Sequence, residues 1–221
     1  MNRSFARRGG RITSSQKRAL FTLWPRYGVE LDKPLNLEEL FARPAEKHLE
    51  IGFGMGDALV TMAKTHPEHD YLGIDVYNPG IGHLLLQIEA AQLTNVRVID
   101  ADVVEVLQDY LPSHSLDAVY LFFPDPWSKK RHHKRRLVQP DFVTLLAKRM
   151  KSGAYLHLAT DWEDYAQQML QVLEAAPEFV NRAGGGFAPR SPERPLTKFE
   201  QRGLRLGHGV WDLLYSVNSD Q

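Results

Sequence analysis

Asp125 lies between two prolines at the end of an apolar run, Leu116 to Phe123, and Trp127 and six cations follow it closely: Lys129, Lys130, Arg131, Lys134, Arg135 and Arg136. The run is rich in aromatic and β-branched residues and predicts a buried strand that stops abruptly at Pro-Asp-Pro. The prolines restrict the backbone on both sides of the carboxylate, and Trp127 offers a flat surface on which a base or ring could stack. In an α/β protein ligands sit beyond the carboxyl ends of the strands. One segment would therefore bring an acid, a stacking ring and a phosphate-seeking cluster to one crevice. That combination points to chemistry on a nucleic-acid base. A turn followed by a solvated charge run is the plainer alternative.

A second constellation, His48-Leu-Glu-Ile-Gly-Phe-Gly-Met-Gly-Asp, reads as a strand running into a glycine turn. Gly52, Gly54 and Gly56 would let the backbone approach a ligand closely. The third glycine of a dinucleotide fingerprint would fall at Asp57, whose charge at a helix start repels a pyrophosphate. That disfavours NAD and a phosphorylated ligand. Glu50, just before the turn, can face an ammonium group; Asp75, ending the next strand, can accept hydrogen bonds from a ribose diol; Asp102, just after the third strand, can reach an adenine amino group. An ammonium, a ribose and an adenine without phosphates describe S-adenosyl-L-methionine.

The elements that must position these groups alternate along the chain. Strands are expected at 48–51, 71–76, 96–99, 116–123, 154–160 and 209–217, and helices at 36–41, 57–64, 81–93, 103–111, 140–150 and 163–175. Alternation of this kind predicts a mostly parallel sheet covered on both faces. A Gly/Pro-rich loop, 183–195, precedes a polar segment, 196–205. Residues 1–18 lack apolar periodicity and predict a flexible basic arm, with residues 19–221 forming one domain.

The charge distribution fits a local polyanion partner. The chain has 221 residues and no net charge, yet residues 1–29 carry seven basic residues and no acid, and residues 129–136 carry six more. The remaining 14 basic residues face 27 acidic ones. Two basic patches on an acidic body suit a protein that grips nucleic acid at one place. There is no cysteine, which excludes disulfides and thiolate chemistry. With no apolar run of membrane length, the expected localisation is cytoplasmic, although an acid-free Arg/Ser-rich N-terminus also resembles a transit peptide. No histidine spacing suggests a metal.

With these motifs in place, the chain resembles the bacterial tRNA (guanine-N7)-methyltransferases from Ser4-Phe-Ala-Arg-Arg-Gly-Gly-Arg to Trp211-Asp-Leu-Leu. The most specific pieces are Glu50-Ile-Gly-Phe-Gly-Met-Gly, Leu121-Phe-Phe-Pro-Asp-Pro-Trp, Arg131-His-His-Lys-Arg-Arg, Ala159-Thr-Asp-Trp and Thr197-Lys-Phe-Glu-Gln-Arg-Gly. The resemblance implies an α/β class I methyltransferase, a Rossmann-like doubly wound sheet of seven mostly parallel strands with the last antiparallel. It also implies methyl transfer to guanine N7 at tRNA position 46, in the variable loop, with no obligatory protein partner expected.

Carried over by position, the resemblance places the cofactor on Glu50, Asp75, Asp102 and Asp125, with Asp125 also the catalytic acid. It places tRNA on Lys129, Arg131, His132, His133, Lys134, Arg135, Arg136, Asp161, Thr197, Lys198, Phe199 and Glu200. Asp125 and Glu200 would accept hydrogen bonds from the guanine N1 and N2 donors. Asp161 could equally cap a helix, and Lys198 and Glu200 could form a surface ion pair. The chain departs from the family at Asp75, where glutamate is usual, and at Tyr77, where histidine is usual. A non-catalytic RNA-binding protein, an NAD oxidoreductase and a methyltransferase of other substrates are the competing readings.

Overall fold

The structure is a computed structural model describing residues 10–197, 200, 201, 205, 207 and 209–219. Seven strands form one sheet: β1 Lys47–Ile51, β2 Asp70–Asp75, β3 Val96–Asp100, β4 Leu116–Phe122, β5 Met150–Thr160, β6 Phe179–Asn181 and β7 Trp211–Val217. Their order is β3-β2-β1-β4-β5-β7-β6. All neighbours pair in parallel except at β7, which runs antiparallel to β5 and β6. This is the doubly wound, mostly parallel sheet, with its last strand antiparallel, that the family resemblance implies.

Both faces are covered, because alternate residues of each strand face different helices. On one face Leu49, Ile51, Leu121, Leu158 and Leu213 pack against α6 Val103–Glu105, α7 Pro140–Arg149 and α8 Glu163–Glu174. On the other, Tyr71, Val98 and Phe122 pack against α1 Ser14–Thr22, α2 Trp24–Tyr27, α4 Asp57–Thr65 and α5 Asn78–Ala90. A short helix, α3 Leu37–Phe41, starts where expected, with Asn36 capping the amide N–H groups of Glu38 and Glu39.

Three local features differ from the sequence reading. Residues 14–18, placed in the arm, are the start of α1. Its first turn is closed by a reciprocal capping box between Thr13 and Gln16, and Gln16 lies so close to α5 that a Cβ on Gly82 would come within 2.8 Å of its carbonyl oxygen. The helix expected over 103–111 is one α-helical turn followed by a π-helical turn at Val106–Tyr110. Arg149 donates to the Leu107 and Gln108 carbonyls there, partnering acceptors in the widened turn. Finally, β6, absent from the expected strands, has only three residues, too few to show a period.

Candidate active site

The carboxyl ends of β1, β2 and β4 lie side by side, because β1 pairs in parallel with both of the others. At the end of β1 the chain turns through Gly52, Gly54 and Gly56, all left-handed, with φ of 69°, 57° and 81°. A side chain at Gly52 or Gly54 would meet nothing, so these two are needed for backbone conformation and leave open space above the turn. The start of α5 presses on the turn from beside it: a Cβ on Gly80 would lie 1.9 Å from the Gly54 carbonyl oxygen.

Asp75 braces the same turn. Its carboxylate accepts from Gly54 N (2.8 Å), Val76 N (2.7 Å) and Tyr77 N (3.0 Å). Burial pushes this carboxyl above its ordinary range; the three N–H donors pull it back, and the charge of Asp125 adds to the upward push. Asp75 and Asp125, fifty residues apart in sequence, are therefore electrostatic neighbours. Glu50 is 3% exposed and its Oε2 has no hydrogen-bond partner among the described residues. Burial first, and then the charge of Asp75, push its carboxyl up to about 8. Such an arrangement favours a cation or a donor as third party.

Asp125 is half-buried, in a turn with unusual backbone on both sides. Phe123 and Trp127 have φ of 52° and 45°, a region that costs side-chain-bearing residues of order 1–3 kcal/mol each. Phe123 N is held by Ala159 O at 2.8 Å and Pro126 O by Arg136 Nε at 2.8 Å. Arg135 lies over the Trp127 ring, 5.0 Å from its centroid, and His132 meets the ring edge-on. The indole thus already carries a cationic lid.

The basic segment after Trp127 forms a 3-10 helix, Lys130–Arg135. Lys129, Arg131, Lys134 and Arg135 are exposed, and His132 and His133 are half-buried. Arg136 departs from the RNA-facing expectation. Its side chain is 1% exposed, donates to Pro126 O, Gln168 and Asp164, and stacks over Tyr165. A guanidinium with those partners holds the turn against α8 and has no reach to solvent.

Other expected site residues have structural partners in view. Asp102 caps α6 through Val104 N at 2.9 Å, just beyond β3. Asp161 does not cap α8, whose N-cap is Trp162 with no side-chain bond; it stays half-buried after β5. Lys198 and Phe199 lie outside the described residues. Thr197 Oγ1 accepts from Glu200 N at 3.1 Å. Glu200 departs from the expected base contact: both its oxygens are clamped at 2.6 Å by Arg194, so a base donor would have to share them.

Arg194 itself went unread in the sequence. It is buried, spans Glu200 and Asp212, and lies 5.7 Å from the centroid of the Phe123 ring. His157 completes the group through Asp212 at 2.7 Å. Burial lowers its imidazole against the pull of Asp212. The available signal was an acid inside an apolar strand, Trp211-Asp-Leu-Leu, which demands a buried cation.

Comparison with known proteins agrees with this fold. A family model described as "Putative methyltransferase" matches residues 44–213. The tRNA (guanine-N(7)-)-methyltransferase of Nitrosospira multiformis is 56% identical over 214 residues, covering 96% of this chain and 93% of its own. That of Alkalilimnicola ehrlichii is 57% identical over 217 residues, covering 96% and 91%. Among solved structures, the 16S rRNA methyltransferase KamB superposes with a TM-score of 0.61 at 15% identity, covering 87% of this chain and 98% of its own; at that identity the likeness speaks for the fold. Near full-length kinship above half identity, on this sheet and with this glycine turn, places the chain in the tRNA (guanine-N(7)-)-methyltransferase family.

Proposed function

We propose that the chain transfers a methyl group from S-adenosyl-L-methionine to N7 of guanine at position 46 of tRNA. The observation that carries the cofactor reading is the orphaned, buried Glu50 Oε2 beside open glycine backbone. A carboxylate that burial holds near neutrality is a natural seat for an ammonium group, which would draw it back to its charged form. The exposed cations at 129–135 supply the RNA-facing side, and no helix among the described residues is long and apolar enough to cross a membrane.

When bound, the cofactor supplies an electrophilic methyl group on a sulfonium. Guanine N7 has an in-plane lone pair and no proton, so the protein needs no base to prepare it. Its work is alignment, which can account for about 7–11 kcal/mol of a barrier. Glu50 would hold the ammonium end of the cofactor, Asp75, already fixing the glycine turn, would accept from its ribose, and Asp102 would face its adenine. Asp125, held between two strained residues, accepts from the base N–H donors and offsets positive charge growing on the purine. Lys129, Arg131, Lys134 and Arg135 grip phosphates, joined by Arg3, Arg7 and Arg8 of the basic N-terminal segment.

The test is transfer of labelled methyl to unmodified tRNA transcripts carrying guanine or adenine at position 46. Label entering only the guanine transcript, with strand scission there under chemistry selective for N7-methylguanosine, is the expected result. Equal labelling of both transcripts overturns the position. Binding of the cofactor without any transfer overturns the substrate.

A further inference from the structure

At the amino ends of β1 and β2, away from the glycine turn, a group of metal-ligating side chains meets that no part of the methyl-transfer reading uses. His48 is on β1, two residues before Glu50. His66 and His69 flank the turn between α4 and β2, and Glu46 and Glu68 project beside them. We infer that this cluster binds one divalent transition cation of the zinc class, with Glu46 Oε2, His48 Nε2 and His69 Nε2 as protein ligands.

The distances carry the inference. Donors about 2.0–2.1 Å from a tetrahedral ion stand roughly 3.3–3.4 Å from one another. Glu46 Oε2 lies 3.3 Å from His48 Nε2 and 3.4 Å from His69 Nε2, and the three ligating atoms all fall within 4.8 Å of one another. Those separations suit one shared ion as well as they suit long hydrogen bonds. A fourth position is within reach of Glu68, whose Oε1 is 3.7 Å from His69 Nε2 and 3.0 Å from His66 Nδ1; His66, Glu68 and His69 form an overlapping triad of their own.

Two further features belong to a binding site. His48 Nδ1 lies 3.1 Å from the Tyr120 hydroxyl. An imidazole coordinating through Nε2 carries its proton on Nδ1, so Tyr120 would accept it and fix the ring, the usual outer-shell arrangement of a metal-bound histidine. A cavity of about 190 Å³, walled by His48, His66, His69, Tyr71 and Tyr120, gives an access path. Two nitrogens and a carboxylate oxygen in this geometry favour zinc, cobalt or nickel over calcium or magnesium. Such an ion would staple the α4–β2 turn to the start of β1.

The experiment uses the untagged full chain, stripped with chelator and titrated with Co²⁺. One equivalent, with the intense visible bands of four-coordinate cobalt, displacement by Zn²⁺ and a Zn²⁺-dependent rise in Tm, is the expected result. Glu46→Gln, at an exposed residue that should not affect folding, should weaken Co²⁺ binding at least about tenfold. His48→Gln with His69→Gln should abolish the bands while far-UV circular dichroism stays unchanged, and His132→Gln with His133→Gln should leave them intact. Absence of bands and of any Tm rise in the wild type overturns the site. So does an unchanged response in both Glu46→Gln and the His48/His69 double variant.

Discussion

Replacing Glu50 by glutamine should stabilise the ligand-free chain while abolishing methyl transfer, and the size of the stabilisation should depend on pH in a defined way. In the folded chain Glu50 keeps its proton up to about 8, whereas in the unfolded chain it ionises at its ordinary 4.5. The native form therefore binds more protons between those values. Its Glu50-dependent stability is fully present below pH 4.5 and is lost as pH rises through 8. At about 1.4 kcal/mol per pH unit, the loss is about 3 kcal/mol at pH 7 and about 5 kcal/mol at pH 9. Glu50 is only 3% exposed, so solvent screening does not reduce it much. Glutamine has no such titration, and its own packing and hydrogen-bonding change is a constant offset across pH. Other titrating groups are common to both proteins, so subtracting the two urea-unfolding free energies isolates Glu50. The difference between variant and wild type should grow by about 4 kcal/mol from pH 5 to pH 9, or roughly 10–15 °C in Tm. A difference that stays constant within about 1 kcal/mol over that range would refute the argument that Glu50 is held neutral by burial.

Other substitutions test the remaining supports. Gly80→Ala drives a methyl group into the Gly54 carbonyl; thermal unfolding should register a loss of about 1–3 kcal/mol, and calorimetry should find weaker cofactor binding. Asp125→Asn keeps the size and removes the charge: single-turnover kcat should fall at least tenfold, about 1.4 kcal/mol, with Tm nearly unchanged, and normal turnover would remove Asp125 from the chemistry. Arg136→Met breaks the bonds to Pro126 and Gln168 and should cost about 2 kcal/mol of stability without altering the salt dependence of tRNA affinity. The exposed pair Arg131→Ala with Arg135→Ala should do the reverse, flattening the slope of log K against log salt by about 2 while unfolding midpoints stay put.

The sheet and the glycine turn were legible in the sequence for a shared reason. Buried parallel strands are written as short apolar runs, and Gly52, Gly54 and Gly56 mark backbone that side chains disfavour. The capping box at Thr13 and Gln16 was also present in the text of the chain, but the surrounding polar residues hid it and the segment was read as part of the arm. Arg136 shows why a charge run cannot be read as one surface. It differs from Arg135 only in where a 3-10 turn points it, and that depends on Asp164 and Gln168 of a helix formed thirty residues later. The Arg194, Asp212 and Glu200 group, and the histidines around Glu46, are likewise products of long-range packing. Local spacing carries no trace of partners drawn from a loop and a distant strand.

The position of β7 has a consequence for how the protein is made. This strand occupies an interior slot, between β5 and β6, and is the last of the seven along the chain. While the polypeptide emerges from the ribosome, β5 keeps an open edge and β6 has no neighbour to join until Trp211–Val217 appears. Asp212, the anchor that Arg194 needs in order to hold Glu200, arrives in the same stretch. The part built on β1, β2 and β4, whose pairings all lie before Phe123, can form while the rest of the chain is still being made, whereas the part built around Arg194 must wait for the last strand. A nascent chain would thus shape the glycine-turn side, which we propose holds the cofactor, before the Arg194 side, and the two stand together only once β7 is in place.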